Sequence, residues 1–330
     1  MSIQAPPPPV PTDDARPGAG GAKAAYEPVG KRMYKVLASV PTAVLWGLVV
    51  LWTLPTIGLL ITSFRPAREQ FTSGWWTVFS DPKFTLDNYD RALFEPPGGT
   101  LKFYEAFLNS FAIAIPGTVI PIAIAAAAAY AFAWMDFKGK YWLFIGVLAM
   151  MAVPIQMALV PLQQLYSGGA HLTVAGTTYV IFPDLNLNNK PIAVWLAHTA
   201  FGLPLAIYLL HNYIASLPKD VFEAARIDGA THFGIFWRIV LPLAKPAIAA
   251  FLIFQFLWVW NDYLVSLIFL SQNKSASPLT VQLVNLVTQR GQGTELLPAA
   301  AFISMVVPLI IFFSLQRYFV RGLLAGSVKG

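Results

Sequence analysis

Residues 223–242 read EAARIDGATHFGIFWRIVLP, a short polar island between two long apolar segments. The spacing within it predicts a helix, a tight turn and a second helix. Ser216 and Pro218 supply N-cap and first-turn signals, Lys219 to Ile227 contains helix formers, and Asp228-Gly229 is a turn signal whose glycine reaches positive φ. Thr231 then serves as the N-cap of a second helix, with Phe233, Phe236, Trp237 and Val240 on one face until Pro242 stops it. Ala224 and Ala225 leave the first helix thin on one side, a shape that seats closely in a groove. Glu223 offers a carboxylate to an arginine across such a contact. Two readings stand on these residues alone: a surface hairpin between membrane helices, or an element presented to a soluble partner.

The rest of the chain sets the island in a membrane. Of 330 residues, 56% are hydrophobic and 12% charged, and the mean hydropathy is +0.59. Soluble domains carry about 25% charged residues. Six apolar stretches are long enough to cross a bilayer, each near the length of about 20 residues that a spanning helix needs. They are Val40 to Ile61, Phe111 to Met135, Trp142 to Leu162, Ile192 to Tyr213, Ala247 to Leu270 and Pro298 to Leu315. Prolines inside these runs mark kinks rather than ends, because neighbouring membrane helices re-satisfy the freed carbonyls. The alanine run from Ala123 to Ala131 suits close helix approach. The sequence therefore predicts an all-α, polytopic fold with six transmembrane helices. One membrane domain covers 36–330, with the island's loop at about 217–245, and residues 1–35 form a disordered Pro/Ala/Gly-rich tail.

Orientation follows from the basic residues. With the N-terminus inside, 14 of the 22 lysines and arginines fall in inner segments and 8 in outer ones. The positive-inside rule therefore favours both termini, and the polar island, on the cytoplasmic side. The net charge of +6 is scattered beside apolar segments and forms no stripe for nucleic acid. There is no cysteine, hence no thiol chemistry or disulfide framework.

Catalytic and nucleotide-binding signatures are missing from the sequence. It contains no G-x-x-x-x-G-K-[ST] loop and no G-x-S-x-G, and the histidines at 171, 198, 211 and 232 match no H-E-x-x-H or other metal-binding spacing. Any ATP and magnesium would be bound by another chain, and no cofactor or metal is expected in this one. The leads are polar groups inside the spans, which tend to face a cavity or one another. They are Asn109, Ser110, Gln156, His198 and Thr199, and above all Gln255, Trp258, Trp260, Asn261 and Asp262 in the fifth span. Indoles and amides together suit a sugar path, because pyranose rings stack on aromatic faces while hydroxyls need polar partners. The same residue types also anchor helices at the interface or bond helix to helix.

The motif E-A-A-x-x-D-G-A, followed by Phe236, Ile239, Leu241 and Pro242, resembles the EAA loop of the permease subunits of bacterial ATP-binding-cassette importers. The flanking HTAFGLPLAIYLLHNYIASLPKD, FQFLWVWNDYLVSLIFL and QRYFVRGLLAGSVKG resemble the smaller, maltose-permease-type subunit of carbohydrate importers. The likeness runs from about Val36 to Gly330. It implies ATPase-coupling roles for Glu223, Ala224, Ala225, Asp228, Gly229, Phe236 and Pro242. It also implies a homologous second permease, two ATPase subunits and an extracytoplasmic solute-binding protein as partners. By the same resemblance, Gln289, Arg290, Gly291 and Gln292 would meet the binding protein. The expected location is the cytoplasmic membrane of a bacterium or archaeon, and the expected cargo a sugar or oligosaccharide such as an α-glucoside. An importer for a non-sugar solute is the alternative, and an ion-coupled carrier or a membrane transferase fits the residues less well.

Overall fold

The computed structural model describes residues 41–95, 101–288 and 293–327. It is mainly helical and divides at Pro55 into two compact units. The described part of the first unit belongs to helix α1, Thr42–Ser63, an uncharged run in which the Thr53 hydroxyl donates to the Val50 carbonyl at 3.3 Å.

The second unit, Thr56–Gly330, holds the remaining elements. After α1 the chain forms α2 (Ala67–Thr72), a 3-10 turn (Trp75–Phe79) and α3 (Asp87–Phe94). These short pieces bury little apolar surface of their own, with no buried residue in α2 or the 3-10 turn, and a buried arginine organises them. Arg65, 4% exposed, donates to the carbonyls of Ser73 at 3.1 Å and Glu69 at 3.0 Å and to the Thr77 hydroxyl at 3.2 Å. Asn88 closes the arrangement by donating to the carbonyls of Ser63 and Arg65.

Next come α4 (Phe103–Trp134), α5 (Lys140–Met150), α6 (Ile155–Gly168), the strands β1 (Ala170–Val174) and β2 (Thr177–Phe182), and α7 (Pro191–Ala215). The island forms α8 (Lys219–Ile227) and α9 (His232–Ile235), and α9 passes through a π-turn (Phe236–Val240) into α10 (Leu241–Trp260). The chain closes with α11 (Leu264–Phe269), α12 (Leu279–Thr288) and α13 (Leu297–Ser327).

Among the described residues five helices are long and apolar enough to cross a membrane: Thr42–Ser63, Phe103–Trp134, Pro191–Ala215, His232–Trp260 and Thr294–Ser314. The expected third span is not one straight helix, since α5 and α6 meet at 106° and make a sixth crossing only as a bent pair. Pro154 explains the break. It lacks an N–H, and it disfavours the helical region for the residue before it. The fifth expected span also differs, for the helix stops at Trp260 and restarts at Leu264. Asp262 causes the interruption, because its carboxylate accepts from the backbone N–H of Val265 at 3.1 Å and of Ser266 at 3.2 Å and so caps a new helix.

Among the described residues, the mainly helical fold carries one exception to the all-α expectation, a two-stranded hairpin. β1 and β2 pair antiparallel, with His171 opposite Val180 and Thr173 opposite Thr178. Ala175 and Gly176, at φ 50° and 84°, make the two-residue turn whose twist matches the strands.

Side-by-side packing of α4 and α7 is the most extensive in the fold. Ala125, Ala126 and Ala129 are buried against Ala206, Ile207 and Leu210, so small side chains bring two backbones close, as the alanine run predicts. Toward the far end of α4, a second cluster joins Phe103, Leu159, Val194, Trp260, Phe269 and Leu286.

Candidate coupling surface and polar pathway cluster

The island folds into a short helix clamped to the end of α4. On α8, Phe222 and Ala225 point inward at spacing i, i+3. The Phe222 ring, 1% exposed, lies flat on the Trp134 indole with centroids 3.8 Å apart and planes 12° apart. Trp134 is held in turn, because its indole N–H donates to the Ile214 carbonyl at 3.1 Å while its own carbonyl accepts from the Arg226 guanidinium at 3.1 Å. The last residue of α4, the end of α7 and the island therefore meet at one indole.

The turn after α8 has the geometry that the Asp-Gly signal predicts. Gly229 sits at φ 75°, its N–H donates to the Arg226 carbonyl at 3.0 Å, and the Ala230 N–H donates to the Ala225 carbonyl at 2.9 Å. This is the reciprocal closure of a Schellman motif, in which a left-handed residue lets the chain reverse. Thr231 then caps α9 by accepting from the Gly234 N–H at 3.3 Å. Ser216 does not cap α8; it ends α7, donating its hydroxyl to the Tyr213 carbonyl at 2.7 Å, and Pro218 occupies the cap position of α8.

Pro242 does not stop the second helix. The wide turn at Phe236–Val240 leaves room for the proline ring and needs no N–H there, so the helix continues to Trp260. That turn also rotates the expected apolar face. Ile235 and Val240 are buried and Phe236 is half-buried, whereas Phe233 and Trp237 are exposed. Tyr130 of α4 fixes the start of α9 through a 2.9 Å hydrogen bond to His232 Nδ1. The outward surface thus gathers Glu223, Ala224, Asp228 and Gly229 with Ile227, which is 86% exposed. Ala225 and Phe236 lie behind it, and Pro242 is exposed on the helix beyond.

The polar candidates of the fifth span divide into two groups. Gln255 is 1% exposed and bridges helices, donating to the Gly117 carbonyl at 3.2 Å and filling the notch left by Gly202, where a Cβ would stand 2.7 Å from its Nε2. Trp260 is 3% exposed, stacked on Phe256 and edge-on to Phe107 and Phe111, with its N–H donated to the Ser304 carbonyl at 3.2 Å. Both belong to packing within this chain.

Trp258, Asn261 and Asp262 are more open. Trp258 is edge-on to His198 at 5.5 Å, and His198 Nε2 lies 3.6 Å from Asp262 Oδ2. His198 is fully buried and neither ring nitrogen has a hydrogen-bond partner. It joins the cluster from α7, a pairing across 64 positions that no local pattern signals. The remaining candidates serve packing or lie open: Asn109 donates to the distant carbonyls of Ser275 and Ser277, the Ser110 hydroxyl accepts from the Leu279 N–H, Thr199 donates to the Trp195 carbonyl one turn back, and Gln156 is exposed. Gln289, Arg290, Gly291 and Gln292 lie outside the described residues.

Sequence reasoning missed Trp134, Phe222 and Tyr130. The lone aromatic of a short polar helix, Phe222, was the available signal. Its partner lies 88 positions away.

Residues 120–324 match the family described as binding-protein-dependent transport system inner membrane component. The osmoprotective compounds uptake permease protein GgtD of Synechocystis sp. is 54% identical over 283 residues, covering 84% of this chain and 88% of that protein. The alpha-glucoside transport system permease protein AglG of Rhizobium meliloti is 53% identical over 275 residues, covering 81% of this chain and 68% of that protein. A solved bacterial ABC transporter involved in alginate import aligns with a TM-score of 0.63 at 20% identity, over 89% of this chain and 99% of its own, a likeness of fold.

Proposed function

The chain belongs to the family of binding-protein-dependent transport system inner membrane components, and from that membership we propose that it is the permease subunit of an ATP-driven importer of α-glucoside-type sugars. Both termini and the island face the cytoplasm in this reading, consistent with 14 of 22 basic residues lying in the inner segments. The six crossings are the five long helices and the bent pair α5–α6. A separate ATPase binds the ATP and magnesium. Two copies of it, a homologous second permease and an extracytoplasmic binding protein complete the assembly.

The observation that carries the reading is the anchored island. Phe222 and Trp134 tie α8 to the spanning helices, while Glu223, Ala224, Ile227 and Asp228 remain on the outward side. A force applied to α8 by the ATPase is therefore passed to α4 and α7 rather than absorbed in a loose loop. Ala225 and Phe236 form the support behind that surface, Gly229 makes the turn at its edge, and Pro242 lies on the helix beyond. Closure of the ATPases shifts the population between inward-facing and outward-facing states, which requires contacts that differ between the two. Trp258, Asn261 and Asp262 are the pathway residues of this chain, with Gln255 and Trp260 holding their helix in register.

The sugar class is supported by 53% identity to AglG. The 54% identity to a permease named for osmoprotective compounds favours a second reading, a small compatible solute. Vesicles carrying the complete transporter with its own binding protein separate the two. ATP-dependent uptake of labelled maltose, uncompeted by glycine betaine, supports the sugar reading. Uptake of betaine alone refutes it.

A further inference from the structure

Beside the island, at the turn joining α4 to α5, a cavity of about 440 Å³ opens between these helices and α7. Its lining is mainly aromatic, with Phe132, Trp142 and Phe144 among the walls, and its polar residues are Lys140, Tyr141 and His211. Phe144 tilts over His211 at 4.5 Å, and His211 Nδ1 is enclosed without a hydrogen-bond partner.

Depth decides what such a cavity meets. The apolar run of α4 ends at Trp134, the charged turn Asp136, Lys138 and Lys140 follows at once, and Tyr141 and Trp142 stand exposed beside it. That sequence of apolar helix end, basic turn and exposed indole and phenol is the signature of the membrane–water boundary, where amphipathic aromatics lie level with lipid headgroups. Lower walls of phenylalanine suit the glycerol and first methylenes of a lipid. The upper rim suits an anion, because α5 begins there with no side-chain cap and no acidic residue in its first turn. Lys140 donates one hydrogen bond, to the Met135 carbonyl at 2.9 Å, leaving two of its three donors. Asp136 lies 3.8 Å from it but is fully exposed to water, and Lys138 on the same turn restores the positive balance.

We propose that this cavity binds the headgroup of an anionic phospholipid in the leaflet on the island's side, with the phosphate at Lys140 and the amide end of α5 and the glycerol region against Phe132, Trp142 and Phe144. The site is independent of which solute the transporter carries. Basic pockets between helices at that level are a general means of holding anionic headgroups.

Native mass spectrometry of the complete transporter tests it, after reconstitution in nanodiscs of equal phosphatidylglycerol and phosphatidylcholine and gentle release. Phosphatidylglycerol should be enriched among retained lipids, and Lys140→Gln should lower that enrichment roughly five-fold, the worth of one basic residue at an anionic surface. Lys140→Arg should keep it, and Lys138→Gln, which removes background charge but no direct contact, should lower it less than Lys140→Gln does. Trp142→Ala, which alters the wall and no charge, should also lower retention. The proposal is overturned if Lys140→Gln and Trp142→Ala retain lipid as the wild type does, or if Lys138→Gln loses as much as Lys140→Gln. Displacement of the lipid by excess inorganic phosphate would instead mark a free-anion site and overturn it equally.

Discussion

Replacing Phe222 by alanine should detach the coupling helix without disturbing the spans. Phe222 is 1% exposed and its ring is stacked on Trp134 at 3.8 Å, so truncation removes a buried side chain and an aromatic pair together. Phe→Ala at a buried site costs about 3–5 kcal/mol, of which an aromatic pair contributes about 0.5–1.5 kcal/mol. The nine residues of α8 cannot hold helical form alone, since isolated helices below about 12–15 residues are marginal in water. Ala225 and the Arg226–Trp134 hydrogen bond remain as attachments. Taking the lower end, about 3 kcal/mol, the ratio of docked to detached α8 falls roughly a hundredfold. Hydrogen exchange of the complete transporter in nanodiscs should report this as lost protection over residues 219–227, while α4 and α7 keep theirs. Transport per ATP hydrolysed should fall alongside. Ile227→Ala, at a site 86% exposed, is the contrast: it should weaken ATPase association and leave α8 folded. Unchanged exchange over 219–227 in Phe222→Ala would refute the claim that this stack anchors the helix.

Other perturbations have equally definite outcomes. Gly229→Val forces a β-branched residue to φ 75°, a left-handed conformation costing about 1–2 kcal/mol, and should reduce coupled uptake while the protein still inserts; normal uptake would remove the turn from the mechanism. Gly202→Ala places a Cβ 2.7 Å from Gln255 Nε2, so Gln255 must leave the Gly117 carbonyl. The α4–α7–α10 contact should lose about 1–3 kcal/mol, read as a lower melting temperature in detergent. Arg65→Leu deletes the donor that joins residues 69, 73 and 77, and proteolysis within 66–95 should rise while the spans stay protected. Tags at Lys138 and Lys329 should be reachable from the cytoplasm alone, and labelling of Lys83 or Lys274 from that side would overturn the orientation.

The sequence by itself determined the apolar segments, the charge asymmetry, and the helix, turn and capped second helix of the island. These are local properties. A run of apolar residues has a length, Gly229 has no Cβ, and Thr231 has an oxygen within reach of its own helix. The tertiary structure alone decided which faces of those segments meet. A membrane helix is apolar all round, so it lacks the stripe that tells a soluble helix which side to bury. Trp258 and Trp260 look alike in sequence, yet one is half-buried beside His198 and the other is enclosed by Phe107, Phe111 and Phe256. Pro242 and Pro154 are the same residue in similar runs. The π-turn ahead of Pro242 makes room for its ring and the helix continues, whereas at Pro154 the chain turns through 106°. What fixed each outcome was a neighbour far along the chain: Trp134 under Phe222, Gly202 beside Gln255, Ser304 accepting from Trp260. No local pattern encodes those neighbours, because they exist only once the helices have packed.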